Sequence, residues 1–330
     1  MAIRTTQPVG STLPSSLAWV NRFEKYEGNP IIRPQGNGYC ADAIFNPGAI
    51  VYKDRVGLLC RCINMTVPHT EDTWSVSTLG WAWSDDGLHF TMEDAPAIYP
   101  DALSPYRGGF EDPRLVQVED QYILTYTGVR GDYRKGGTPG MCAISRDLRH
   151  WEFLGEILPG RAIAIVNRKI GGKYWAYWGN SRSLSMAWTE DFRHWHVHDE
   201  PALVTRPGYF DEDLCECASA PLVTDDGILL FYNGAMSPEG ARAYARKVLP
   251  QYAAAHQTNC YCTGWALFDR EDPTQLISRC VEPILQPTEI FEQFGIANYT
   301  VFSQGFVDFK GTKFLYYGCA DMRIGVATAR

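Results

Sequence analysis

Five times along this chain of 330 residues, an alternating run meets a Gly/Asp turn and a second run answers it. Asn46 to Tyr52 turns at Asp54 into Val56 to Arg61, and Asp112 to Val118 turns at Asp120 into Tyr122 to Gly128. Ala164 to Ile170 turns at Gly171-Gly172 into Tyr174 to Gly179. Ala220 to Val223 turns at Asp225-Asp226-Gly227 into Ile228 to Gly234, and Phe302 to Val307 turns at Lys310-Gly311 into Phe314 to Gly318. Alternation with period two and turn residues at the joints reads as a β-hairpin each time. A second element recurs between the hairpins: Ser84-Asp85-Asp86-Gly87-Leu88-His89-Phe90, Ser145-Arg146-Asp147-Leu148-Arg149-His150-Trp151 and Thr189-Glu190-Asp191-Phe192-Arg193-His194-Trp195. A hydroxyl residue and an Asp can cap the backbone of a turn, and the aromatic can plug between sheets. Asp269 to Pro273 holds the same place in the fourth repeat. Two hairpins per repeat make four strands, and five repeats predict an all-β fold, a five-bladed β-propeller forming one domain over 1–330.

Two stretches depart from the repeat. Residues 1–30 read as an irregular arm packing onto the domain, and 237–257 as a helical insertion in the fourth blade. Ser237 as cap and Pro238 at the first helical position support a helix start there. The insertion leaves three roles open: shielding the pocket, a homo-oligomer contact, or a surface excursion.

Composition narrows the partners. An apolar fraction of 45% with 21% charged residues suits a globular protein with a sizeable core. Aromatics reach 13%, and Trp and Tyr offer flat faces with a polar edge that suit stacking on sugars. A net charge of -8 without a dense Lys/Arg run argues against nucleic acid and anionic membrane. No stretch approaches the ~18 apolar residues of a membrane span. No signal peptide is visible near Met1, so a cytoplasmic location with ten reduced cysteines is expected. Three Cys-x-Cys pairs, Cys60/Cys62, Cys215/Cys217 and Cys260/Cys262, each put two thiols on one face of a strand. Metal sites usually want wider spacing and histidine company, so small apolar filler is the better account for Cys60/Cys62, and no metal is expected.

In a propeller the residues leading into the inner strands converge on the axis. Here they are Asn46, Asp112, Arg161, Glu216 and Asn298, the strands themselves starting near Asn46, Asp112, Ala164, Ala220 and Tyr299. Glu111-Asp112-Pro113-Arg114 sets two carboxylates before a proline that fixes the entry angle and an arginine able to hold a carboxylate or a hydroxyl. A turn with a surface ion pair is the plain alternative. Asp112 and Glu216 on different blades can face each other, and two carboxylates across a pocket are what glycosidic cleavage requires. Glu216 lies in the acidic, thiol-flanked run Asp211 to Cys217, which favours its protonated form. Asp321 returns to the axis on the last blade, and Arg61 can bond sugar hydroxyls.

Jointly, Phe45-Asn46-Pro47-Gly48-Ala49, Gly109-Phe110-Glu111-Asp112-Pro113-Arg114, Ile170-Gly171-Gly172-Lys173-Tyr174, Glu282-Pro283-Ile284-Leu285 and Tyr316-Tyr317-Gly318-Cys319-Ala320-Asp321 resemble glycoside hydrolase family 130, from about Asn29 to Ala327. The resemblance implies a five-bladed propeller acting on β-mannosides by hydrolysis or phosphorolysis. It places the proton donor on Asp112 and sugar contacts on Asn46, Arg61 and Asp321, with Glu111, Arg114, Arg161 and Asn233 as further substrate-binding candidates. Family phosphorylases carry an Arg where this chain reads Gly137-Thr138-Pro139-Gly140-Met141, and a Lys-Asp pair where it reads Arg161-Ala162. They also tend to have His at Asn233. Hydrolases of the family look to have a Glu at the position of Glu216, before a Pro-rich run reduced here to Ala218-Ser219-Ala220-Pro221. The expectation is therefore inverting hydrolysis of short β-linked manno-oligosaccharides, Asp112 as acid and Glu216 as base, without a cofactor. The alternative is a phosphorylase with inorganic phosphate as co-substrate, releasing mannose 1-phosphate, its anion bound by Arg161 with Arg182, Arg130 or Lys135. A non-catalytic propeller that binds carbohydrate or protein is the third reading.

Overall fold

Antiparallel strands make up most of the chain, and helices are few. The computed structural model describes residues 11–65, 75–101, 104–131, 137–248 and 258–330. The first hairpin pairs Ala43–Tyr52 with Arg55–Ile63, and Ser77–Ser84 and Thr91–Met92 continue its sheet outward. Gly109–Val118, Gln121–Val129, Gly140–Ser145 and Trp151–Leu158 form the second unit in the same order. The third runs Ala164–Ile170, Lys173–Trp178, Ser183–Thr189 and Trp195–Val197. In the fourth, Leu214–Cys217 and Leu222–Thr224 both pair with Gly227–Met236, followed by Cys260–Phe268 and Leu276–Arg279. The fifth is Val301–Phe309, Thr312–Cys319 and Arg323–Ala329, with Glu24–Lys25 as its outermost strand.

Each unit also touches the next near its inner edge. A parallel bridge joins Ser77 to Gly109, Thr125 Oγ1 donates to Ile163 O, Asn180 pairs with Glu216, and Tyr261 bridges to Thr300. Ile44 N donates to Met322 O at 3.2 Å, linking the fifth unit to the first. Apolar clusters fill the spaces between successive sheets, for example Leu59, Trp81, Leu115 and Leu124, then Val116, Ile123, Ile165 and Tyr174. Because both faces of the sheets are covered, the inner strands are buried almost along their length.

The recurring turn works through the backbone. Ser84 Oγ accepts from Gly87 N at 2.8 Å, Asp86 Oδ1 from Leu88 N at 2.8 Å and His89 N at 2.9 Å, and the His89 ring sits 2.7 Å from the other oxygen. Ser145/Asp147/His150 and Thr189/Asp191/His194 repeat the arrangement. Phe90, Trp151 and Trp195 then pack against the apolar clusters between sheets.

Two expectations are corrected. The N-terminal arm is ordered from Ser15–Arg22, a 3-10 helix, into Glu24–Lys25, which pairs with Thr328 and Ala327. Its strand comes from the open edge of the last unit and not from any alternation of its own. The inner strand of the fourth unit begins at Leu214, earlier than Ala220, and is broken between Cys217 and Leu222, where Pro221 offers no ladder donor. A helix does follow Ser237, over Pro238–Val248; residues 249–257 of the insertion lie outside the described residues.

Candidate active site

Asn46 and Asp112 do not precede their strands but interrupt them. Register jumps between Phe45 and Gly48, and between Glu111 and Arg114, mark a bulge on each inner strand. At each bulge the backbone turns left-handed, with φ of 46° at Asn46 and 52° at Asp112. A bulge re-aims the side chain it carries, and backbone strain of this kind gathers at functional sites. Ala162, Tyr299, Ala320 and Asp321 share the left-handed region nearby.

Six of the expected residues line one cavity of about 180 Å³: Asn46, Arg61, Asp112, Arg161, Glu216 and Asp321. That is below the ~300–1,000 Å³ typical of pockets that bury drug-sized ligands. Asn180, Tyr261, Thr300 and Phe302 also line it, and sequence reading missed them. A signal for Tyr261 was present. In all three Cys-x-Cys pairs both thiols are buried while the central residue, Arg61, Glu216 or Tyr261, faces the cavity. Period-two alternation puts small sulfur toward the core and the functional side chain toward the axis.

Charge in the cavity is paired. Arg61 binds Glu111 through Nη2 and Ser77 Oγ through Nε at 3.0 Å, and its Nη1 lies 3.5 Å from Asp112. Arg161 Nη2 donates to Glu111 at 3.0 Å and to Asp112. Asn46 Nδ2 donates to Asp112 Oδ1 at 3.0 Å. Burial alone would raise the Asp112 pKa, but the Arg161, Arg61 and Arg114 guanidinium groups and the Asn46 amide outweigh it and hold the carboxyl well below the usual range. Glu216 goes the other way. Burial pushes it up to about 7 with Asp112 adding to the rise, although Arg161 and Arg114 oppose it. Burial likewise pushes Asp321 up to about 7. Two carboxyl groups with environments that push them apart are the raw material of acid–base chemistry.

Glu111 and Arg114 stand behind the cavity wall. Arg114 donates to Ala218 O at 2.8 Å, Cys217 O at 2.5 Å and Asp112 O at 3.1 Å. Asn233 does not reach the cavity: it is fully buried, donates to Ser303 O at 2.9 Å and accepts from Ser303 N and Thr263 Oγ1. Asn298 is not among the residues lining the cavity; its Oδ1 accepts from Gly295 N. Arg182 and Arg130 pair with Asp213 and Glu156 at exposed positions, and Lys135 lies outside the described residues. A larger cavity of about 520 Å³ lies beside the helix, but its Glu212 is spent on Ser237 and Gly208. Among the described residues no group of three His, Cys, Asp or Glu could hold a metal.

Residues 15–330 match the profile of glycoside hydrolase family 130, described as beta-1,4-mannooligosaccharide phosphorylase. A 1,2-beta-oligomannan phosphorylase of Thermoanaerobacter sp. is 31% identical over 314 residues, 93% of this chain and 96% of the relative. A putative glycosidase from Bacteroides thetaiotaomicron superposes with a TM-score of 0.82 at 34% identity, covering 96% of this chain and 99% of that one. A third protein, from work on GH130 glycoside hydrolases that target beta-1,2 mannosidic linkages in Candida mannan, superposes at 0.82 with 31% identity, covering 97% and 96%. The chain belongs to glycoside hydrolase family 130, and is an enzyme acting on glycosides.

Proposed function

We propose that the five four-stranded units close into a five-bladed propeller of one domain, and that the axial cavity cleaves β-mannosidic bonds in short oligosaccharides. The links between each unit and the next, including Ile44 to Met322, support the ring. The family and the mannoside activities of its curated members support the substrate class.

The nucleophile divides the readings. On the comparisons alone, phosphate is better backed than the water expected from sequence, because the curated relatives are phosphorylases. The cavity favours water. Its single most informative group is Glu216, a carboxyl only 4% exposed, aimed at the cavity and poised near neutrality. A phosphate dianion would meet the ionised Asp112 and the partly ionised Glu216 and Asp321 there, while Arg161 and Arg61 already serve Glu111 and Asp112. A base working near its own pKa is well placed to deprotonate water. We therefore put inverting hydrolysis first and phosphorolysis second.

Asp112 is the acid in this scheme, and the unliganded cavity holds it ionised. Donation to the leaving oxygen therefore requires Asp112 first to take up a proton from solvent as substrate binds. It passes that proton to the leaving oxygen while the attacking water gives one to Glu216, which returns it to solvent. The deciding assay is β-1,2-mannobiose with and without inorganic phosphate. Mannose as the sole product in both buffers supports hydrolysis; phosphate-dependent mannose 1-phosphate overturns it in favour of phosphorolysis.

A further inference from the structure

The bulges at Asn46 and Asp112 are held by one side chain that has no other evident task. Gln304 is 1% exposed and sits at a third bulge, the extra residue between Ser303 and Gly305 on the inner strand of the fifth unit. Its Nε2 donates to Asn46 O at 2.8 Å and to Pro113 O at 2.9 Å. One amide therefore grips the carbonyl of one left-handed residue and that of the residue following the other. The three strands are pressed together around it. A Cβ on Gly48 would stand 2.6 Å from Pro113 O, and one on Gly305 would stand 2.8 Å from Pro47 O.

We propose that Gln304 is a positioning residue for the reaction: it locks both bulges so that Asn46 and Asp112 point into the cavity, and it acts through Asp112 without touching substrate. Three observations carry this. The bulge carbonyls lie off the ladder hydrogen bonds of their own hairpins, so an outside donor has to satisfy them. Gln304 supplies both bonds from a single rigid group, which ties the two bulges to each other as well as to the fifth unit. Asn46 in turn bonds the Asp112 carboxyl, so movement of either bulge changes that contact.

The proposal rests on Asp112 taking part in the reaction, whichever nucleophile is used. Its test is a double-mutant cycle of Gln304→Met and Asp112→Asn, assayed on β-1,2-mannobiose in phosphate buffer so that either nucleophile is present. Methionine keeps the length and removes both donors. The expected result is a kcat lower on the order of 10- to 100-fold for Gln304→Met alone, with KM little changed, the effect of losing two ordinary hydrogen bonds. Added to Asp112→Asn it should cost no more than about threefold, since the two changes fall on one contact chain. General damage to the fold would multiply with Asp112→Asn, and that outcome overturns the proposal, as does full activity of Gln304→Met. An unimpaired Asp112→Asn sinks the acid assignment and the proposal together, and is recognised by the single variant. If Gln304→Met shows no cooperative thermal transition, Gln304→Asn, which keeps a shortened donor, takes its place in the same cycle.

Discussion

Arg114 Nη2 lies 3.4 Å from Glu216 Oε1 while Nη1 of the same guanidinium holds the carbonyl of Asp112. One fixed charge, 3% exposed, therefore spans the two carboxyl-bearing strands of different units and sets their distance. It also steadies the ionised form of Glu216.

Arg114→Met is expected to act on both counts. Removing the cation raises the Glu216 pKa, so the acidic limb of the pH–rate profile moves to higher pH. The carbonyls of Asp112, Cys217 and Ala218 lose their donor, at a cost of about 3 kcal/mol or more of stability. An unmoved acidic limb in a folded variant would show that Arg114 only braces the strands.

Glu216→Gln should separate stability from turnover. The Glu216 pKa rises on folding from an ordinary 4.5 to about 7. Its contribution to stability is then complete below about pH 4.5 and lost as pH climbs through 7, on the order of 3 kcal/mol. Glutamine imitates the protonated form at every pH. The variant is expected to melt a few degrees higher than the parent at pH 8, with the gap closing toward pH 4.5, and to be inactive in hydrolysis. Azide or formate entering the vacated side is expected to restore part of the activity. Equal melting at pH 8 would mean that Glu216 is not held against its charge.

Asp112→Asn is expected to lower turnover on an unactivated mannoside at least ~100-fold while leaving the melting curve cooperative. The loss should shrink on an aryl mannoside whose leaving group needs no proton. A loss of the same size on both substrates would make Asp112 an electrostatic partner of the sugar and not its acid.

Much of this was legible in the chain because turn chemistry punctuates it. Gly171-Gly172 or Asp225-Asp226-Gly227 can hardly be anything but a hairpin joint, and the Ser84/Asp86/His89 turn names its own hydrogen bonds. Asp112, Glu216, Asn46, Arg61, Arg161 and Asp321 were legible because polar residues at the head of apolar strands need a reason to be there. Thr300 and Phe302 were not, since an aromatic or a threonine in a strand looks the same whether it meets solvent, core or pocket; Tyr261 carried a signal, its place between two buried cysteines, that was passed over. Asn233 shows the converse. Next to a strand end it resembles a ligand, but its amide completes hydrogen bonds of Ser303 and Thr263 that nothing local in sequence announces. Glu24–Lys25 went unseen because its pairing is dictated by an edge some 300 residues away.

That last pairing has a kinetic side. Glu24 lies opposite Thr328, so the outermost strand of the fifth unit is made near one end of the chain and its partner near the other. During synthesis the first strand waits, and the fifth unit stands with an open edge until residues 323–329 have left the ribosome. An exposed edge of this kind is a template for pairing with other chains. Pairing between segments so far apart in sequence is slow, so this edge is the place where a nascent chain is most open to pairing with other chains.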